Sequence, residues 1–292
     1  MQKYIIGNLK MNLISQAELE RYFKAFKNEI KEKKLENVTA VLCPPSVYLK
    51  DFAKELENKK VSIGAQNIFW EKSGSFTGEI SSVIVKNIGG EYAIIGHSER
   101  RRYFGETNET VNLKIKAAFK ARLFSIVCLG ETLSERETGL TGKIITDQLQ
   151  GGLKDVSIAN VEKITFVYEP VWAVGTDAVP SSNEIMEIKI LIRKILAEKY
   201  GLKYSQRAII LYGGSVNPKI LNEVYFKPGM DGVLVGRESL NPREFVKIAE
   251  TAFDQPKIAQ ASVTTQAVAM ASAADGTKRP IKIVNRNYSL LK

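Results

Sequence analysis

Two short segments of the sequence carry side chains that can move a proton at neutral pH. AIIGHSERRRYF contains the only histidine of the chain, His97, and FVYEPVWAVGTDAVP places Glu169 at the end of an apolar run. An imidazole and a carboxylate are common as the general acid and general base of enzymes. A pair of this kind can shift a proton between neighbouring carbon atoms, so the two segments predict an isomerisation.

The surroundings of each group predict how its pKa is adjusted. Ser98 and Glu99 follow His97 and are expected to cap a helix, whose first amides would lower the imidazole pKa and keep the ring neutral. Glu169 ends a strand just before Pro170, where partial burial would raise its pKa toward neutrality. The structural alternatives are a buried core histidine and a surface carboxylate.

Further polar and glycine-rich positions predict a site for an anionic substrate. Asn8 and Lys10 stand two residues apart at the end of an apolar run, and Lys10 is suited to balance a phosphate or an enediolate. Backbone N–H groups that could bind a phosphate are expected at Ser215, in the segment YGGSVNP, and at Gly236 and Arg237, in the segment LVGRES. Small residues around Gly175, between two prolines, predict a closing lid. The reaction expected from this set is isomerisation of a small phosphorylated sugar.

The elements that must position these residues alternate along the chain. Eight short runs rich in β-branched residues are near-continuously apolar, which is typical of parallel strands buried on both faces. They cover residues 4–9, 38–43, 61–66, 92–96, 124–129, 164–168, 208–212 and 232–236. Helical segments between them, such as 17–34, 109–123 and 183–200, complete eight βα units. The pattern predicts an α/β fold, a closed (β/α)8 barrel, with a doubly wound open sheet as the alternative.

The barrel interpretation explains where the unusual polar residues fall. Asn8 and Lys10 close the first predicted strand, His97 closes the fourth and Glu169 closes the sixth, while the glycine-rich turns close the last two. In such barrels, chemistry takes place at the carboxyl ends of the strands. We therefore expect all of these side chains at one mouth of a single domain.

Composition narrows the class of protein. Of the 292 residues, 44% are hydrophobic, and this share excludes disorder of the whole chain. The net charge of +10 gives a positive field that would attract an anionic substrate. Cys43 and Cys128 stand far apart in strand-like runs, as expected of buried free thiols. The sequence shows neither a targeting leader nor a membrane-spanning run, so we expect a cytoplasmic protein.

Five motifs follow one another along the chain: NLKMN, AIIGHSERR, YEPVWAVGT, YGGSV and DGVLVG. Through these motifs, residues 1 to about 253 resemble the triosephosphate isomerase family. The resemblance implies a TIM barrel that interconverts dihydroxyacetone phosphate and D-glyceraldehyde 3-phosphate in glycolysis and gluconeogenesis, without a metal or other cofactor. It implies that Glu169 is the base, that neutral His97 polarises the carbonyl and that Lys10 stabilises negative charge. The remaining substrate-binding residues that it implies are Asn8, Gly175, Ser215, Gly236 and Arg237.

The resemblance also implies a homodimer, in which the loop after the third strand enters the partner's active-site region. This loop contains Phe69, Trp70 and Phe76, and Thr77 matches the residue at its tip. Packing of the loop on its own barrel is the alternative. A membrane partner is not expected, and neither is a nucleic acid.

Three positions and one segment depart from the family pattern. Leu9 replaces a common tryptophan, Asp177 adds negative charge where the lid usually has glycine, and Arg237 replaces a second glycine. Residues 254–292 form a C-terminal extension of unknown role, which we expect to be flexible; a docking peptide or a weak nucleic-acid contact is the alternative. These departures leave open another phosphate-binding barrel enzyme, or a weakened barrel acting as a scaffold or binding module through its basic tail.

Overall fold

A computed structural model describes residues 2–31, 33, 35–57, 60–176, 178–216 and 218–253. The predicted extension, 254–292, and Asp177 therefore lie outside the described residues, and the division of the chain into a barrel and an extension stays a prediction. Among the described residues, no helix is long and apolar enough to cross a membrane.

Eight parallel strands pair in sequence order and close into a barrel. They are Lys3–Asn8 (β1), Val38–Cys43 (β2), Val61–Ala65 (β3), Tyr92–Ile95 (β4), Phe124–Leu129 (β5), Ile164–Tyr168 (β6), Ile209–Tyr212 (β7) and Gly232–Val235 (β8). The barrel closes where β1 pairs with β8, with Tyr4 opposite Gly232. The predicted closed barrel is confirmed and the open sheet is excluded; each strand bound differs from its prediction by at most one residue.

Helices connect the strands and cover the outside of the barrel. The α-helices of the described residues are Gln16–Ile30 (α1), Leu49–Glu55 (α2), Ser82–Asn87 (α3), Ser98–Phe104 (α4), Asn108–Lys120 (α5), Leu133–Glu137 (α6), Thr141–Gly152 (α7), Ile158–Val161 (α8), Ser182–Tyr200 (α9), Leu202–Arg207 (α10) and Pro242–Phe253 (α11). Short 3-10 turns span Ser46–Tyr48, Val171–Ala173, Pro218–Ile220 and Arg237–Leu240, and a π-helical turn spans Leu221–Phe226. The capping box predicted for α9 is present, with Ser181 as its N-cap and Glu184 as its reciprocal partner.

The core has two layers that follow from alternation along the strands. Alternate residues point into the barrel and fill it, among them Ile6, Val41, Ile94, Cys128 and Leu234. Their neighbours point outward and pack against the helices in one large cluster, which includes Leu9. The leucine that replaces the family's tryptophan is fully buried there. A filled barrel of this kind holds the strand ends rigidly, so the loops that follow them inherit fixed positions.

Candidate active site

Glu169 follows β6 directly and is buried at the mouth of the barrel. Its Oε2 accepts a hydrogen bond of 2.9 Å from the backbone N–H of Ser98. Its Oε1 lies 2.9 Å from Nε2 of His97, but no described residue donates a well-directed hydrogen bond to this oxygen. A buried carboxylate oxygen without a directed donor is suited to accept a proton from a carbon acid.

His97 itself is the N-cap of α4, a role that the sequence had predicted for Ser98 and Glu99. Its Nδ1 accepts a hydrogen bond of 3.2 Å from the backbone N–H of Glu99. Because Nδ1 is an acceptor there, the proton of a neutral ring sits on Nε2, the nitrogen that faces the mouth and Glu169. This tautomer can donate a proton to a substrate oxygen.

The surroundings of the two groups shift both pKa values in the direction opposite to the one predicted. Burial alone would raise the pKa of Glu169, but the charge and proximity of His97, with the Ser98 amide, lower it below its usual value. Burial likewise would lower the pKa of His97, but the Glu169 carboxylate raises it. The sequence placed each group at its own strand end and gave no sign that the two face each other at contact distance.

Lys10 lies just beyond β1 and has a left-handed backbone, with φ of 52°. This strained conformation is held by two contacts: the backbone N–H of Lys10 donates to Oδ1 of Asn8 over 3.1 Å, and Gln66 donates to the Lys10 carbonyl over 2.8 Å. The Lys10 ammonium donates to Oε1 of Glu99 over 2.6 Å. Asn8 therefore orients Lys10 as well as lining the mouth itself.

The predicted phosphate-binding residues line the same cavity of about 1050 Å³ as the predicted catalytic residues. The shared lining consists of Asn8, Lys10, His97, Glu169, Gly175, Ser215, Gly236 and Arg237. A Cβ added at Gly236 would lie 3.4 Å from Cε of Lys10, so the lysine stem runs beside this turn. The cavity thus brings the Lys10 side chain beside the glycine-rich turn after β8.

The glycine-rich turns differ in how ready they are to bind an anion. The backbone N–H of Ser215 donates to the carbonyl of Ala173 over 3.0 Å, so this amide must exchange its partner before it can bind phosphate. Gly175 lies exposed with φ of 72°, and Arg237 begins the short 3-10 turn after Gly236. The segment that contains Ala173 and Gly175, residues 170–180, is called the lid below.

The arrangement combines a base, a proton donor, a fixed cation and backbone donors in one concave site. Within the described ranges, no group of three or more His, Cys, Asp and Glu side chains is placed to hold a metal ion. The chemistry that this set can perform is proton abstraction next to a carbonyl, with stabilisation of the oxyanion that forms.

Comparison with known proteins agrees with this geometry. The model of the triosephosphate isomerase family matches residues 3–252. The chain belongs to this family. A triosephosphate isomerase from Dictyoglomus thermophilum is 45% identical over 250 residues, which cover 86% of this chain and 99% of the relative. One from Synechocystis is 42% identical over 249 residues, covering 85% and 98%.

The crystal structure of the triosephosphate isomerase from Bartonella henselae is similar in fold as well as in sequence. It aligns with a TM-score of 0.77 at 31% identity, and the alignment covers 87% of this chain and all of that one. The family resemblance predicted from the sequence is therefore confirmed. The reading as a degenerate scaffold is not favoured.

Sequence reasoning missed several residues that shape this family site. Glu99 was read as a helix cap but binds the Lys10 ammonium, and Gln66 at the end of the third strand holds the Lys10 backbone. Glu131, fully buried after the fifth strand, accepts hydrogen bonds from the lid. The rule that polar residues at strand carboxyl ends mark the mouth would have selected Gln66 and Glu131.

The histidine–carboxylate contact predicts the titration of the single histidine. In the substrate-free protein, the pKa of His97 should lie above its ordinary value of 6.5, so more than half of the rings are protonated at pH 6.5. In a Glu169→Gln variant, burial becomes the dominant influence and the pKa should fall below 6.5. Proton NMR of the imidazole Cε1–H measures both values without ambiguity, and an unchanged pKa in the variant would contradict the contact.

Proposed function

We propose that this protein interconverts dihydroxyacetone phosphate and D-glyceraldehyde 3-phosphate, as its family membership indicates, and that it serves glycolysis and gluconeogenesis. The observation that supports it most is that Oε1 of Glu169 and Nε2 of His97 face each other 2.9 Å apart in the cavity that also contains Lys10. A triose has two adjacent carbons that exchange a proton and two oxygens that exchange another. In the proposed site, the Glu169 carboxylate serves the exchange between the carbons, and the His97 imidazole serves the exchange between the oxygens.

In the proposed mechanism, Glu169 takes a proton from C1 of dihydroxyacetone phosphate, and the electron pair moves toward the C2 carbonyl oxygen. Nε2–H of His97 donates its proton to this oxygen and takes one from the oxygen on C1. Protonated Glu169 then returns its proton to C2, which gives the aldehyde. Lys10 stabilises the negative charge of the enediolate throughout.

The substrate phosphate is bound by backbone N–H groups of Gly175, Ser215, Gly236 and Arg237 in this proposal, while Asn8 orients the substrate. Fixed amide dipoles bind a phosphate dianion without a change of protonation. Because the backbone N–H of Ser215 donates to the Ala173 carbonyl, phosphate binding to this amide requires the lid and the turn after β7 to rearrange together. Such closure also excludes water from the enediolate.

The test is conversion of D-glyceraldehyde 3-phosphate in deuterated water. The product should appear at the rate of an enzyme-catalysed isomerisation and should carry solvent deuterium at C1, because the proton on the carboxyl group exchanges with solvent before it is returned. Absence of turnover by the full chain, with inorganic phosphate still bound, would refute the isomerase and favour a binding protein.

We place a homodimer contact on the segments after the first four strands. Large apolar side chains exposed there are Met11, Ile14, Val47, Phe76 and Phe104. The loop with Thr77 at its tip stacks Phe69 on Trp70, with ring centroids 4.0 Å apart, and leaves Phe76 partly exposed. Apolar side chains gathered on one side of a protein mark an association surface.

The dimer has a direct test. Sedimentation of the full chain should give twice the mass of one chain, and Phe76→Asp should give a monomer with much lower activity. A parent protein that sediments as a monomer at micromolar concentration would refute the dimer.

We propose a cytoplasmic location because both cysteines are free thiols. Cys43 and Cys128 are both buried free thiols, and burial raises the pKa of each, so neither is suited to disulfide exchange. Fractionation of cells that express the tagged full chain tests this location.

A further inference from the structure

The main chains that follow β5 and β6 stay in contact beyond the last residues of both strands. The backbone N–H of Glu169 donates to the carbonyl of Leu129 over 2.8 Å, which sets Gly130 beside Glu169. A Cβ added at Gly130 would overlap the carbonyl oxygen of Glu169 and lie 2.6 Å from its carbonyl carbon. Since no side chain fits at position 130, the main chain of the candidate base packs directly on the main chain of Gly130.

Gly130 is held in turn by the side-chain amide of Gln148, on α7. The backbone N–H of Gly130 donates to Oε1 of Gln148 over 2.8 Å, and Nε2 of Gln148 donates to the Gly130 carbonyl over 3.0 Å. Ile145 and Leu149, on the same helix, are buried in the core and fix α7 against the barrel. One amide on a fixed helix therefore satisfies both main-chain groups of a buried glycine.

Glu169 is thus held both at its carboxylate and at its main chain. The carboxylate accepts the Ser98 N–H over 2.9 Å and lies 2.9 Å from Nε2 of His97, while the main chain packs on Gly130. Because the side chain is attached to this main chain, a shift of the turn at Gly130 would move Oε1 relative to His97. A misplacement of about 1 Å can lower the rate of a reaction about a hundredfold.

We propose that Gln148 is a positioning residue for the candidate base: it fixes the main chain of Gly130, and thereby the place of the Glu169 carboxylate. Gln148 is not among the residues that line the cavity formed by the described part of the chain, so it acts through Gly130 and not on the substrate. The inference rests on the proposed function for the choice of reaction, whereas the place of the carboxylate can be measured without turnover. A glutamine that only stabilised the fold would affect thermal unfolding and leave catalysis unaltered.

The test compares three full-length variants with the parent protein. Gln148→Met keeps the length of the side chain and removes both hydrogen bonds to Gly130. Gln148→Glu keeps an acceptor for the Gly130 N–H but, when ionised, has no donor for the Gly130 carbonyl. Gln150→Met is the matched control, because Gln150 is exposed on the same helix. Each protein is measured by steady-state kinetics with triose phosphates, by thermal unfolding and by proton NMR titration of His97.

Gln148→Met should lower kcat about tenfold, because the unsatisfied main-chain groups of Gly130 shift the turn that supports Glu169. KM should change by less than about twofold, since the phosphate-binding turns are untouched. The pKa of His97 should fall relative to the parent, because the carboxylate that raises it has moved away. Gln148→Glu should lie between the parent and Gln148→Met in both kcat and the pKa of His97, and Gln150→Met should match the parent.

A folded Gln148→Met protein with the kcat of the parent would overturn the proposal, and so would a His97 pKa that does not fall, whatever the loss of thermal stability. If Gln148→Met does not fold, Gln148→Glu decides in its place, and a parent-like kcat and His97 pKa in that variant would overturn the proposal. A parent protein that does not isomerise triose phosphates would defeat the proposed function. The His97 titration of Gln148→Met would still decide whether Gln148 places the Glu169 carboxylate.

Discussion

Replacement of Glu169 by glutamine should lower kcat about a thousandfold, within the 10²- to 10⁴-fold range of general base catalysis. Glutamine keeps the size of the side chain, and its carbonyl oxygen can still accept the 2.9 Å hydrogen bond from the Ser98 amide. The variant loses only the oxygen that takes the proton from C1 in the proposed mechanism. KM should change little, because the phosphate-binding turns are untouched, and steady-state kinetics in both directions measures the split.

The matched control for this variant is Glu244→Gln. Glu244 lines the same cavity and is partly exposed, so its replacement changes the charge of the mouth by the same amount. Its kcat should stay within about twofold of the parent, since charge at the rim has a small effect. Full activity of Glu169→Gln would refute the assignment of the base, whereas equal losses in both variants would mean that the net charge of the mouth matters rather than a proton acceptor.

The barrel was predictable because each strand is a short run that is apolar throughout. Burial on both faces removes the alternation that marks other strands, and helical spacing between the runs indicates a parallel sheet, as a closed barrel or as the doubly wound alternative. The positions of His97 and Glu169 at strand ends could be predicted for the same reason. Their distance could not, because it depends on the closure of β4 against β5 and β6, which no local pattern encodes.

The protonation states of His97 and Glu169 depend on the distance between the two side chains. Sequence reasoning treated His97 and Glu169 as separate groups and gave each the pKa shift of its own neighbourhood. In the structure each group is the main reason for the net shift of the other, in the opposite direction. Substrate that comes between them would weaken this coupling and leave burial and the helix amides as the remaining influences, which are the ones that the sequence had indicated.

Replacement of Lys10 is the second change from which we expect a large loss of activity. Its left-handed backbone, which fixes the position of the ammonium, is a feature that local sequence patterns did not predict. Lys10→Met should lower kcat/KM about a thousandfold, with a lower kcat and a higher KM, because in the proposed mechanism its ammonium stabilises the enediolate. Stability should change little, since the Lys10–Glu99 pair is partly exposed to solvent. Initial rates over a range of substrate concentrations, with thermal unfolding of both proteins, measure these quantities.

Lys247→Met is the control, because Lys247 lines the same cavity at its exposed rim and its loss should change kcat/KM by less than about twofold. Lys10→Arg tests placement against charge. The left-handed backbone at Lys10 and its two supporting hydrogen bonds fix where the ammonium ends. A longer, planar guanidinium keeps the charge in a different place, so the arginine variant should recover only a small part of the activity. Full recovery would mean that a positive charge in the mouth is enough, and the strained backbone would then have no catalytic purpose.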